Sequence, residues 1–157
     1  TYDGKAKKPT VTVKAANGKT IASTNYTVTY PSGRKNVGKY TVKITFKGNY
    51  SGTVSKTFTI VPKTTSISSL TAVSKGFTVK WKKQATQTTG YQIRYSTSSS
   101  MSSAKTVTVS STSTVSKKIT KLTANKKYYV QVRTYKTVNG TKYYSSWSAK
   151  KYVTTKK

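Results

Sequence analysis

A two-residue rhythm of Val, Thr, Tyr and Ile runs along the whole chain, broken at short intervals by Gly, Asn and Pro. Such alternation puts one set of side chains on each face of a pleated strand, so it selects half-buried β-structure and leaves little room for helices. The runs are Thr10–Lys14, Tyr26–Tyr30, Lys39–Lys47, Thr53–Val61, Phe77–Lys82, Tyr91–Thr97, Lys105–Ser110, Val115–Leu122, Lys127–Lys136 and Lys150–Thr155. Between them stand turn signals: Asn17-Gly18, Pro31-Ser32-Gly33, Gly48-Asn49 and Asn139-Gly140. Short strands at this spacing predict an all-β fold built of antiparallel β-sandwiches. No stretch of about 18 apolar residues is present, so no helix can span a bilayer.

The turn spacing changes near Pro62-Lys63-Thr64-Thr65. A proline disfavours continuation of a paired strand, so a boundary is expected there. The reading is two tandem immunoglobulin-like sandwich modules, residues 1–62 and 66–157, with 63–65 as the linker. The first is short for a sandwich and begins at Thr1, as a fragment lacking an N-terminal strand would. The Ser/Thr-rich stretches 96–103 and 110–116 read as polar loops and exposed strand faces, because Val107, Val109 and Val115 keep the apolar rhythm through them.

Composition then limits the chemistry. The 157 residues hold 30 Lys and Arg, one acid (Asp3), no His and no Cys. Proton transfer near neutral pH ordinarily needs His or a carboxylate, and a pair or triad cannot be assembled from one Asp. Neither zinc nor calcium finds a ligand set. The reading is therefore no enzyme, no metal site, no cofactor and no disulfide. The net charge of +29 bears on partners and solubility rather than fold. It points to anionic polymers such as teichoic acid and acidic glycans, with non-specific, salt-sensitive nucleic-acid binding as a companion property. The alternative is a charge that serves only solubility. No recognition helix, zinc finger or RNA-binding sheet motif accompanies the charge, which is spread through both halves.

In the second half, Phe77-Thr-Val-Lys-Trp81 is followed by Gly90-Tyr-Gln-Ile-Arg-Tyr95, then Leu122-Thr-Ala-Asn-Lys-Lys-Tyr128 and the alternating Tyr128, Val130 and Val132. In this order the residues from Thr65 to about Thr155 resemble a fibronectin type III domain. The resemblance implies Phe77, Val79, Trp81, Tyr91, Ile93 and Tyr95 as core. It also implies that Tyr128 makes a tyrosine corner, its hydroxyl bonding upstream backbone. Ala124 departs from the proline common there. Ser145-Ser-Trp147-Ser148 is similar to part of the Trp-Ser-x-Trp-Ser element of cytokine-receptor relatives, where a tryptophan stacks with arginine. Only one of the two tryptophans is present. Arg133 is its candidate partner, and an ordinary edge tryptophan is the simpler reading.

The first half carries Tyr2-Asp-Gly-Lys, Lys8-Pro-Thr-Val-Thr-Val13, Asn25-Tyr-Thr-Val-Thr-Tyr30, Asn36-Val-Gly38, Gly48-Asn-Tyr-Ser-Gly52 and Phe58-Thr-Ile60. These pieces are similar to immunoglobulin-like repeats of secreted and wall-attached proteins of Gram-positive bacteria, especially Firmicutes. That resemblance implies an extracellular or cell-surface location and a monomeric piece of a larger multidomain protein, and it brings no catalytic residue. A Lys–Asn isopeptide crosslink would need Asp3 as its carboxylate; Asp3 reads instead as a turn residue.

Alternation leaves Tyr129, Gln131, Arg133 and Tyr135 outward on one strand, and Gln92, Arg94 and Ser96 outward on its expected neighbour. Two of the three arginines fall there. Arg suits stacking and bidentate contact better than Lys. The candidate binding face is Arg94, Tyr129, Arg133, Tyr135, Lys136 and Lys142, with the tip Thr137–Lys142 beside it. The leading functional reading is a non-catalytic spacer and adhesion unit of a bacterial surface protein. The alternatives are a dedicated glycan- or protein-binding module using this face, and a supercharged nucleic-acid or membrane binder.

Overall fold

β-branched and aromatic residues at every second position fold into eleven strands, and every ladder between strands is antiparallel. The structure, a computed structural model, describes residues 1–157. The chain divides into two compact units, Tyr2–Ile60 and Val61–Lys157.

The first unit holds β1 (Tyr26–Thr29), β2 (Gly38–Phe46) and β3 (Thr53–Ile60), in the order β1-β2-β3. Val42 and Ile44 of β2 are buried, with Ile21, Val37 and Ile60. Tyr40 stacks on Phe58 at 5.5 Å, and Tyr26 meets Phe46 edge-on at 6.5 Å. This is one sheet, not the two-sheet sandwich expected for residues 1–62. Thr10–Lys14 is not a sheet strand. It folds back at Asn17-Gly18, makes the single bridge Lys14↔Thr20, and receives the Ile21 N–H at the Val13 carbonyl. Pro9–Thr12 line a cavity with Val42, Ile44 and Phe58. Val11 and Val13 therefore bury their apolar side by lying on the sheet face, and alternation alone does not distinguish that from pairing at a sheet edge.

The second unit is a sandwich. One sheet is β4-β5-β8: Ile67–Val73, Gly76–Trp81 and Ser116–Ile119. The other follows β10-β9-β6-β7: Thr141–Tyr144, Lys127–Val138, Gly90–Ser96 and Lys105–Val109, with β11 (Lys151–Thr154) also paired to β9. The inward residues of β5, β6 and β9 are the expected ones. Phe77, Val79, Trp81, Tyr91, Ile93, Tyr95, Tyr128, Val130 and Val132 share one core. Each fully buried large side chain contributes about 1.5–3 kcal/mol. The tyrosine corner is present: the Tyr128 Oη accepts the Thr123 N–H at 3.3 Å.

Two elements escape the periodicity reading. β4 is hidden in Thr-Ser-Ile-Ser-Ser-Leu, where an irregularity between Ile67 and Ser69 shifts the register. Its apolar residues Ile67 and Leu70 are thus three apart rather than two. β10 lies in none of the expected runs; the last run, Lys150–Thr155, is β11, and 145–150 cross between the two strands. Both pair with the long β9, which has space between them for that crossing.

Candidate functional site

On β6 and β9, adjacent outward residues are directly opposed. Arg94 faces Gln131 and Gln92 faces Arg133. Each arginine donates through Nε and Nη2 to the glutamine Oε1 across from it, Arg94 at 3.0 and 2.7 Å and Arg133 at 2.8 and 2.5 Å. These forks hold both guanidinium planes in place on the sheet.

Trp147 lies between the two planes. The Arg94 and Arg133 guanidinium carbons stand 4.4 and 4.2 Å from its ring centre, and Arg133 also stands 3.9 Å from the Tyr144 ring. The order is Arg94, Trp147, Arg133, Tyr144, a run of alternating cations and rings. Tyr135 lies 6.0 Å from Tyr144, with the Lys142 ammonium 5.1 Å from the Tyr135 ring. Burial lowers the pKa of Arg133; Tyr144 opposes that shift and the neighbouring Arg94 adds to it. The group stays cationic at any physiological pH.

Two serines fix the tryptophan. Ser145 donates its N–H to the Thr134 carbonyl and accepts the Thr134 N–H on Oγ. Ser148 does the same with Val132. Each serine thus closes a ring on the edge of β9 away from β6, between β10 and β11 where no strand pairs, and Ser-x-Trp-Ser hangs Trp147 over the outer face. The Gln131 amide adds a bond to the Ser148 carbonyl at 2.7 Å. The simpler reading of Trp147 as an edge residue is overturned, and its partners are both outward arginines rather than Arg133 alone.

The predicted face is thereby redistributed. Arg94 and Arg133 are engaged with Trp147 and the glutamines. Tyr135 is outward by alternation but only 2 % exposed. It faces Gly90 across the ladder, and its hydroxyl bonds the Ser110 Oγ at 3.2 Å. A Cβ on Gly90 would stand 3.0 Å from that ring and 2.1 Å from the Val109 carbonyl oxygen, so the bare glycine makes the ring's seat. Lys136 falls on the opposite face by alternation, opposite Tyr143. Lys142 is exposed, near the Asn139-Gly140 turn.

Tyr129 is half-buried and packs at 6.2 Å against Tyr152 of β11, which is 63 % exposed. The Lys127 ammonium stands 4.7 Å from the Tyr152 ring and that of Lys150 5.5 Å from Tyr129. Sequence reading passed over Tyr152 and Tyr144, and it placed Gln92 and Gln131 outward without assigning them to the candidate face. The available signal was the repeated Gln-x-Arg of Gln92–Arg94 and Gln131–Arg133, two outward pairs on neighbouring strands.

The sequence profile of the fibronectin type III domain matches residues 61–151. The chain belongs to the fibronectin type III family. Domains of this family are generally non-enzymatic and typically serve as adhesion or spacer modules. Among solved structures, the chicken CNTN1 FN1-FN3 domains are similar at 22% identity, covering 78% of this chain and 44% of that one, with a TM-score of 0.54. This chain therefore spans less than half the length of that relative, and the likeness is one of fold. A myokine structure is similar at 17% identity over 62% of this chain and 97% of that one, TM-score 0.45. A β-1,2-glucanase from Parabacteroides distasonis is similar at 15% identity over 75% of this chain and 18% of that one, TM-score 0.49. No curated protein sequence matches the chain. Within this fibronectin type III domain, the Arg–Trp run occupies one outer face and leaves Tyr152 as its most exposed ring.

Proposed function

We propose that the chain is a non-catalytic adhesion and spacing segment of an exported bacterial surface protein. The first unit, a single sheet, serves as a surface repeat similar in sequence to the immunoglobulin-like repeats, and the fibronectin type III domain follows from Val61. The segment works outside the cell, as a monomeric part of a larger protein, and its lysines hold it to anionic wall or host polymers such as teichoic acid and acidic glycans. The observation that carries this reading is the 30 cations set against one carboxylate. An excess of that size makes a positive field that draws polyanions. Binding to teichoic acid, heparin and DNA tests it. All three should bind at low salt and weaken together as salt rises. Indifference to every polyanion at low salt refutes it; preference for DNA over the others favours a nucleic-acid binder.

A second reading, a dedicated glycan-binding face, is favoured by the exposed Tyr152 beside Tyr129. Rings flanked by Lys127 and Lys150 suit a sugar carrying an acidic group. That contact should survive about 0.3 M salt, where simple polyanion contacts are largely lost. It should fall on Tyr152→Ala.

A further inference from the structure

At one end of the sandwich, where β6 ends and β9 begins, a cleft of about 410 Å³ opens among Tyr95, Ser96, Ser103, Lys105, Lys121 and Tyr128. It lies at the strand ends beside the outer face: Tyr95 and Tyr128 belong to the inward sets, and Ser96, opposite Tyr129, to the outward one. Its size falls in the range of small-ligand sites. We propose that this cleft is a binding site for a small acidic sugar, with the acid group at Lys105 and Lys121 and the sugar hydroxyls against the serine and tyrosine wall.

Three observations support it. First, both lysines are exposed, and the unit from Val61 to Lys157 contains no Asp or Glu. No acidic side chain of the unit is there to pair with either ammonium group. An anionic ligand supplies what the fold lacks.

Second, the wall is built of hydroxyls whose rings are otherwise spent. Tyr95 and Tyr128 both line the cleft, pack edge to face at 6.2 Å and are nearly buried, so little ring surface is left for stacking. The Tyr128 Oη accepts the Thr123 N–H, which leaves its own proton to donate. Burial raises the Tyr95 pKa, so that phenol also remains a neutral donor. The Ser96 Oγ donates to the Ser102 carbonyl and accepts the Ser98 N–H, which ties down the loop forming one side. Hydroxyl donors and acceptors in this density match a polyol better than a bare inorganic anion.

Third, Ser103 and Lys121 both line the cleft with left-handed backbone, at φ 50° and 61°. Non-glycine residues hold that conformation at a cost, and such costs gather at ligand sites.

Titration of the ¹⁵N-labelled full chain with sodium glucuronate, glucose and sodium sulfate in about 0.15 M salt, where long-range attraction is screened, tests the site. Glucuronate should give saturable shifts at Ser96, Ser103 and Thr123. The double variant Lys105→Gln/Lys121→Gln should keep its dispersed spectrum and bind at least about tenfold more weakly. Tyr95→Phe, which keeps the ring, should weaken binding by about threefold or more. Tyr152→Ala should leave it unchanged, which separates this site from the outer face. Equal binding of glucose, an equal response to sulfate, shifts scattered over all lysines, or no saturable shift would each overturn the proposal. Polyanion binding by the whole surface would persist in the double variant, so the two readings fail separately.

Discussion

Trp147 shows how much one side chain can depend on its neighbours' geometry. It is held between two guanidinium planes, each fixed by a glutamine. Cation–π contacts contribute about 0.5–2 kcal/mol each, more where desolvated. Trp147→Ala should therefore lower unfolding free energy by about 2–4 kcal/mol, read from the urea midpoint at constant slope. Arg133→Lys keeps the charge but loses the planar fork, and about 1–2 kcal/mol with it. If the lysine variant equals the native protein, charge rather than planar stacking holds the run together. Tyr95 gives a residue-scale pH effect. Burial, reinforced by Tyr128, raises its folded pKa above the unfolded value near 10. The unfolded chain then loses this proton first, so the contribution is fully present below about pH 10 and declines as pH rises toward the folded pKa. Tyr95→Phe should flatten that part of the alkaline decline in thermal melts, measured against the native chain.

At the scale of elements, the segment 145–150 stands in for a missing piece of strand. Ser145 and Ser148 pair with Thr134 and Val132, both buried, between the spans of β9 served by β10 and β11. Removing either hydroxyl strands a β9 N–H away from water, at about 1–3 kcal/mol. Ser148→Ala should release the Val132 amide to hydrogen exchange and Ser145→Ala that of Thr134, while core amides of β5 stay protected. Loss of protection spread evenly over the sandwich would show general destabilisation instead. These elements also mark how far the sequence can be read. Phe77, Ile93 and Val132 announce their inward side because a period of two survives along each strand. β4 is lost to the same reading because its register shift puts Ile67 and Leu70 out of phase. Thr10–Lys14 has the right period and still pairs with no sheet strand, since an extended segment lying on a sheet face shows the same alternation. The site follows that pattern. Outward parity places Arg94, Tyr129 and Arg133 on one face. It cannot tell that Tyr135 sinks onto Gly90, or that Trp147 returns over the arginines, because both depend on pairing across the chain.

For the whole molecule, charge is the dominant variable, and it acts oppositely on fold and on binding. Asp3 is the only acidic side chain, exposed and bonded by the Lys7 ammonium and the Lys5 N–H, which lower its pKa. A lowered carboxyl pKa gives stability above the unfolded value that is lost as pH falls through the folded one. With no other side-chain carboxylate to protonate, the fibronectin type III unit should show no cooperative acid unfolding between pH 7 and 3, where most proteins lose paired carboxylates. Salt is the sharper test. The chain carries +29 across its two compact units, so self-repulsion opposes folding and is screened over about 10 Å at 0.1 M salt. Raising salt from about 0.01 to 0.3 M should raise the melting temperature, because the Debye length then falls from about 30 Å to well below the spacing across a domain. The same change should weaken polyanion binding by orders of magnitude, because each counterion released into more concentrated salt gains less entropy. Opposite signs in the two measurements on one sample would show that the lysines cost stability and confer affinity together. A melting temperature that falls with salt would mean that self-repulsion does not limit stability, and a common origin of the two effects would be ruled out.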